Sequence, residues 1–247
     1  MASRRETLFV AFAALALLGY LSLPHGARTL VSAGDWFFGG AGPYRIEYAN
    51  ALYASALLLD RSVPNAWHQR ARIDFLKGNF DEALAKIERQ IALHGDSFMA
   101  SYYIRGLIHG YRQEYAPAAR DFETFLEWDP ENWAARNDLA WVYFSAGDFL
   151  QARDTAAAAL LGSPDNPWLL TMRGMSRFNL GDIAGAREDL EAAERHAARL
   201  SEREWRVAYP GNDPAVAGEG LASMRRAIAE NLSLVNKRLR EQSPALY

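Results

Sequence analysis

One recurring interval constrains this chain more than anything else in it. Ala83, Ala118, Ala152 and Ala186 follow one another at steps of 35, 34 and 34. The same steps separate Ala71, Gly106, Ala140 and Gly174, and again Phe80, Tyr115, Phe149 and Ile183. Pro130 and Pro164 are 34 apart, and Gly95 holds the equivalent place in the first copy. Matched registers of this length mark a stack of small helical units, none of which buries its apolar face alone.

Each position in the period has a physical task. Within a copy, the small residue and the alanine lie twelve residues apart, so two antiparallel helices approach closely. Gly78, Gly147 and Gly181 stand between them, where a left-handed residue ends the first helix. Pro130 and Pro164 stop the second helix and open the next copy. Ile87, Phe122 and Leu190 are placed to fill the space between layers.

These residues give the chain its resemblance to tetratricopeptide repeats, in which a small residue, a turn, an alanine, an aromatic and a final proline recur. Copies 99–132 and 133–166 meet the pattern best, and 64–98 and 167–200 meet it well. The first departs with Gly95 for proline, the third with Ala156 for the large residue. Ala49, Tyr53, Ala56 and Asp60 make 44–63 look like a preceding half repeat, a lone second helix. The resemblance covers 44–200. It implies an all-α, right-handed superhelical α-solenoid of helix-turn-helix repeats. An N-terminal hydrophobic helix precedes the stack and a C-terminal capping helix closes it.

The ends are read from their own patterns. Arg4 and Arg5 precede an apolar run, Leu8–Leu23, which Pro24 closes. That is a signal anchor or a signal peptide over 1–23; a buried soluble helix is the third possibility. The cleavage candidate His25-Gly26-Ala27 fits poorly, and Val31-Ser32-Ala33 fits better but lies far from the apolar core, which favours an anchor. The basic end would stay cytoplasmic and the repeats would lie extracytoplasmic, or periplasmic or secreted after cleavage. Residues 24–43 read as a linker ending in the hinge Gly39-Gly40-Ala41-Gly42-Pro43. Trp36, Phe37 and Phe38 suit either a membrane interface or a cover on the open end of the first repeat. In the extension 201–247, Tyr209–Pro214 forms a turn. Val216, Leu221, Met224, Ile228, Leu232, Val235 and Leu239 then make one apolar helical stripe, expected to cap the stack.

The resemblance places a ligand on the first helix of each pair, lining a concave groove. The positions facing away from the small-residue contact are His68, Arg72, Phe75, Tyr103, Leu107, Tyr111, Asn137, Trp141, Phe144, Thr171, Met175 and Phe178. They are rich in aromatics, which offer contact area to a peptide at low entropic cost, although aromatic stripes also pack as core. Only Arg72 and Asn137 suit a carboxylate clamp, so that mode is poorly supported. One polar pairing is structural: Arg105 should meet Asp121, and Arg173 should meet Asp189, each sixteen positions further on.

No enzyme motif is present. The five histidines form no HExxH. There is no GxSxG, phosphate loop or Rossmann glycine pattern. With 27 basic against 30 acidic residues there is no nucleic-acid footprint, and the lack of cysteine excludes thiolate metal sites. The expectation is a non-catalytic scaffold without cofactor or small-molecule substrate. It would be anchored in a membrane through residues 8–23 and bind a protein or peptide in its groove. The alternative is a structural subunit of an envelope or secretion assembly, using its outer and end surfaces.

Overall fold

The computed structural model describes residues 4–38, 45–208 and 220–242. Among them every regular element is helical. In chain order these are α1 (Arg4–Phe38), α2 (Ile46–Leu59), α3 (Ala66–Leu76), α4 (Phe80–His94), α5 (Ala100–Tyr111) and α6 (Tyr115–Trp128). There follow α7 (Trp133–Ser145), α8 (Phe149–Leu160), α9 (Pro167–Asn179), α10 (Ile183–Arg199), α11 (Glu202–Ala208) and α12 (Leu221–Gln242). The chain forms two compact units, Met1–Phe75 with Asp81–Ser101, and Leu76–Phe80 with Tyr102–Tyr247.

The period becomes a set of helix pairs, and the small residues do what their spacing predicts. A methyl group added at Gly106 would lie 3.2 Å from the Phe122 ring and 3.3 Å from the Ala118 carbonyl oxygen. At Gly174 it would meet Leu190 at 3.2 Å. Three of the turns hold Gly78, Gly147 and Gly181 at φ of 76, 83 and 87°. The fourth uses Gln113 at φ 62°. Side-chain caps start the later helices: Asn132, Asp148, Asn166 and Asp182 accept from the backbone of the first turn that follows.

In the first unit α1 changes the expected picture. Residues 24–38, expected as linker, continue the helix through Pro24. Proline in a helix interior costs about 3 kcal/mol. The offset comes from packing, because Ala27, Val31, Gly34 and Phe38 form a buried stripe against α2. Gly34 fits under the Tyr53 ring and Gly26 under Leu59. The stretch thus takes the place of a first helix for α2, which a fixed step along the sequence does not reveal. Gly39–Pro43 and Tyr209–Pro214 lie outside the described residues.

The membrane anchor is overturned. Among the described residues no helix is long and apolar enough to cross a membrane. Leu8–Leu23 gives sixteen residues. At ~1.5 Å of rise each, that spans about 24 Å against a hydrocarbon core of about 30 Å. Gly19, Tyr20 and Ser22 dilute even that run, and beyond it the same helix carries His25, Arg28 and Asp35. The single-pass placement of the repeats outside a membrane loses its support with the anchor.

The end of the second unit is closed as its stripe predicts. Ile228 and Met224 pack with Leu160, Leu169, Leu170 and Ala197. Val235, Leu232 and Leu239 pack with Ile183, Ala186 and Leu190. Arg225 ties the helix down by donating to the carbonyls of Ala197, Ala198 and Leu200.

Candidate functional site

The twelve groove candidates fall into different environments. In the first unit they are occupied by their own neighbours. His68 is 5% exposed, with Nδ1 3.2 Å from the Ser101 hydroxyl and its ring edge-on to Phe98. Burial, and then the charge of Arg72, lowers its pKa to about 3. Phe75 is buried. Arg72 stacks over the Phe38 ring at 4.8 Å and donates to Gln69 at 2.9 Å. Asp35 of α1 adds a polar knot, accepting from Tyr53 and Gln69 at 2.7 and 2.8 Å. Burial, reinforced by that hydrogen bond, drives the Tyr53 pKa upward. Of the two readings of the aromatics before the hinge, Phe38 follows the covering one. Trp36 remains half exposed, and Phe37 stacks with Tyr48.

The second unit carries a different surface. Leu107 is buried. Tyr103 is half-buried against Phe122 and Phe125, and its hydroxyl donates to Asp138 at 2.5 Å. Tyr111 and Trp141 are half-buried ring neighbours with centroids 5.3 Å apart, and Phe80 continues the row 5.8 Å from Tyr111. Phe144 is half-buried beside Phe149. The side-chain oxygen of Asn137 has no hydrogen-bond partner among the described residues. Thr171 spends its hydroxyl on the Pro167 carbonyl. Met175 and Phe178 lean on the cluster that α12 completes.

Gly110 is the residue that sequence reasoning missed. It occupies the place held by Phe75, Phe144 and Phe178 in the other copies. The Trp141 ring fills the gap, so that a methyl group at Gly110 would sit 2.6 Å from it. The detectable signal was the break in that aromatic column, opposite a tryptophan in the next copy.

The predicted ion pairs form. Arg105 donates to both Asp121 oxygens at 2.8 and 2.7 Å, and Arg173 to both Asp189 oxygens at 2.9 and 2.6 Å. In the first copy Arg70 turns to Asn50, and Lys86 pairs with Asp74. These arginines are therefore structural. Among the described residues no three His, Asp or Glu side chains converge as metal donors.

With this geometry in view, the chain can be set beside known proteins. Residues 112–173 match the tetratricopeptide repeat model. Over those residues the chain is tetratricopeptide-repeat sequence. Solved structures share the fold. That of PilW, described as a widely conserved type IV pilus biogenesis factor, has TM-score 0.62 and 17% identity over 89% of this chain and 94% of its own. A MamA structure has TM-score 0.60 and 16% identity over 71% and 97%. YrrB, described as a TPR protein with an unusual peptide-binding site, has TM-score 0.58 and 18% identity over 69% and 86%. No curated protein matches the sequence. The fold is that of tetratricopeptide-repeat structures.

Proposed function

We propose that this tetratricopeptide chain is a non-catalytic scaffold that binds a protein or peptide segment on the first-helix face of its second unit. Tyr111, Trp141 and Phe144 supply the contact area. The observation that carries this reading is the row Phe80–Tyr111–Trp141, half open to solvent and seated on the bare backbone of Gly110. Rings held by packing lose little entropy on binding, which is what makes them effective hot spots. The likeness in fold to YrrB, described as having a peptide-binding site, supports the same reading.

A second reading has its own observation. Leu58, Trp128 and Leu161 are 86, 62 and 89% exposed, each at or just beyond the C-terminal end of a second helix. A subunit of an assembly would use such outer positions, and the fold likeness to PilW, described as a pilus biogenesis factor, is in keeping with it. A photocrosslinking amino acid placed at Phe144 or at Leu161, in the full chain in its own cells, separates the two. A discrete adduct from position 144 alone is expected. An adduct from 161 alone overturns the groove and favours the outer surface.

A further inference from the structure

The first unit also has an open recess, on the other side of α3 from His68, Arg72 and Phe75. It lies between α2, α3 and α4 and has a volume of about 620 Å³. Its floor is apolar, made by Leu57 and Trp67 with Ala54 and Ala85. Trp67 is fixed in place by an indole hydrogen bond to the Arg61 carbonyl at 3.0 Å. All the charged side chains lining it are cationic: Arg61, Arg70, Lys86 and Arg89. Two of them are committed, Arg70 to Asn50 and Lys86 to Asp74. The side chains of Arg61 and Arg89 are exposed and have no acidic partner among the described residues. Leu58, 86% exposed, stands at the rim.

We infer that this recess is a second binding site, and that its ligand is an acidic amphipathic peptide segment of a partner protein. An apolar side chain of the segment fills the floor over Leu57 and Trp67, and flanking carboxylates meet Arg61 and Arg89. Charge complementarity selects the class. Four cations line the recess, only Lys86 of them in an ion pair among the described residues, and in a chain whose total charge is −3 that is a local excess; guanidinium groups pair with carboxylates in a bidentate geometry. The recessed apolar floor selects a peptide over a bilayer surface, since a flat headgroup plane leaves the floor empty while a side chain fills it. The site is independent of the aromatic face of the second unit.

The test uses the purified full chain and a fluorescent peptide of about twelve residues, alternating pairs of leucine and glutamate so that one helical face is apolar. Fluorescence anisotropy should show saturable binding that weakens with added salt. A lysine-for-glutamate version of the peptide should not bind. The R61E/R89E variant should keep its circular dichroism, because both side chains are exposed, and lose roughly tenfold or more in affinity. R61A/R89A should fall between. The Trp141→Ala variant should bind the probe as the parent does, which keeps this site distinct from the one proposed above. Absence of saturable binding, or equal binding by R61E/R89E, overturns the inference. So does a parent protein that ignores the peptide and binds phosphatidylserine vesicles through the same two arginines.

Discussion

Arg105→Ala and Arg173→Ala remove the same side chain from equivalent places, and their costs should differ. Both carboxylates are nearly inaccessible, Asp121 at 5% and Asp189 at 4% exposed. Both arginines are about equally open, 24 and 23% by side chain, and Arg105 also lies over the Tyr102 ring at 5.3 Å, a contact that adds a further ~0.5–1 kcal/mol to its removal. The larger difference lies in what remains. Asp189 keeps Arg177, whose NH1 donates to it at 3.0 Å. Among the described residues Asp121 keeps only His109, with Nε2 at 3.9 Å while Nδ1 is engaged by Glu114 at 2.6 Å. Arg105→Ala therefore strands a buried carboxylate, at about 3–5 kcal/mol. Arg173→Ala removes hydrogen bonds to a charge that stays compensated, at about 1.5–3 kcal/mol. Urea unfolding followed by tryptophan fluorescence measures both, since Trp133, Trp141 and Trp168 lie in the same unit. The double variant Arg105→Ala/Asp121→Ala should recover part of the loss, because the orphaned charge goes with its partner. Equal costs within about 0.5 kcal/mol, a resolvable limit for such a comparison, or a larger cost for Arg173→Ala, would refute the reasoning.

Two further outcomes follow from burial. His68 has its pKa depressed to about 3 in the folded chain against an ordinary 6.5. The unfolded chain thus takes up the proton first, and the contribution is complete above 6.5 and lost as pH falls towards 3. Between pH 7 and pH 5 the first unit should lose about 2 kcal/mol, read from the urea midpoint, and His68→Gln should flatten that slope. Val235, on the inner face of α12, is fully buried against Ile183, Ala186 and Leu190. Val235→Asp should cost about 3 kcal/mol or more and release α12 to proteolysis; a variant with unchanged melting temperature would show that α12 is not a cap.

The repeat and its ion pairs were legible because they depend on intervals within a pair. Sixteen residues separate Arg105 from Asp121 and Arg173 from Asp189, and both pairs close. The first copy lacks the pair for the same reason, since Arg70 faces Lys86 at that interval. The capping stripe was legible because one face of one helix decides it. The groove was less so. A helical wheel says which side of a helix a residue is on and nothing about what covers that side. His68, Phe75 and Leu107 share a side with Tyr111 and Trp141, yet the first three are buried and the last two half open. Neighbouring side-chain volume makes the difference, as the pairing of Gly110 with Trp141 shows.

The N-terminal stretch shows where a fixed period stops being informative. The interval of the later copies, counted back from Ala71, lands on Phe37 or Trp36, rings where a small residue is needed. The small residue is Gly34, which lies nineteen residues before Tyr53, whereas Gly106 lies sixteen before Phe122. Three extra residues fall in the connection, and the contact between helix faces is indifferent to them, because loop length adds little to the entropy of closure. Periodicity detects copies with equal connections; packing needs only a small residue facing a large one. The consequence reaches the site. With α1 packed on α2, Phe38 lies under the Arg72 guanidinium and Asp35 holds Gln69. The groove side of α3 is therefore engaged by the chain itself, and the open apolar floor of the first unit is left to the opposite side, over Leu57 and Trp67.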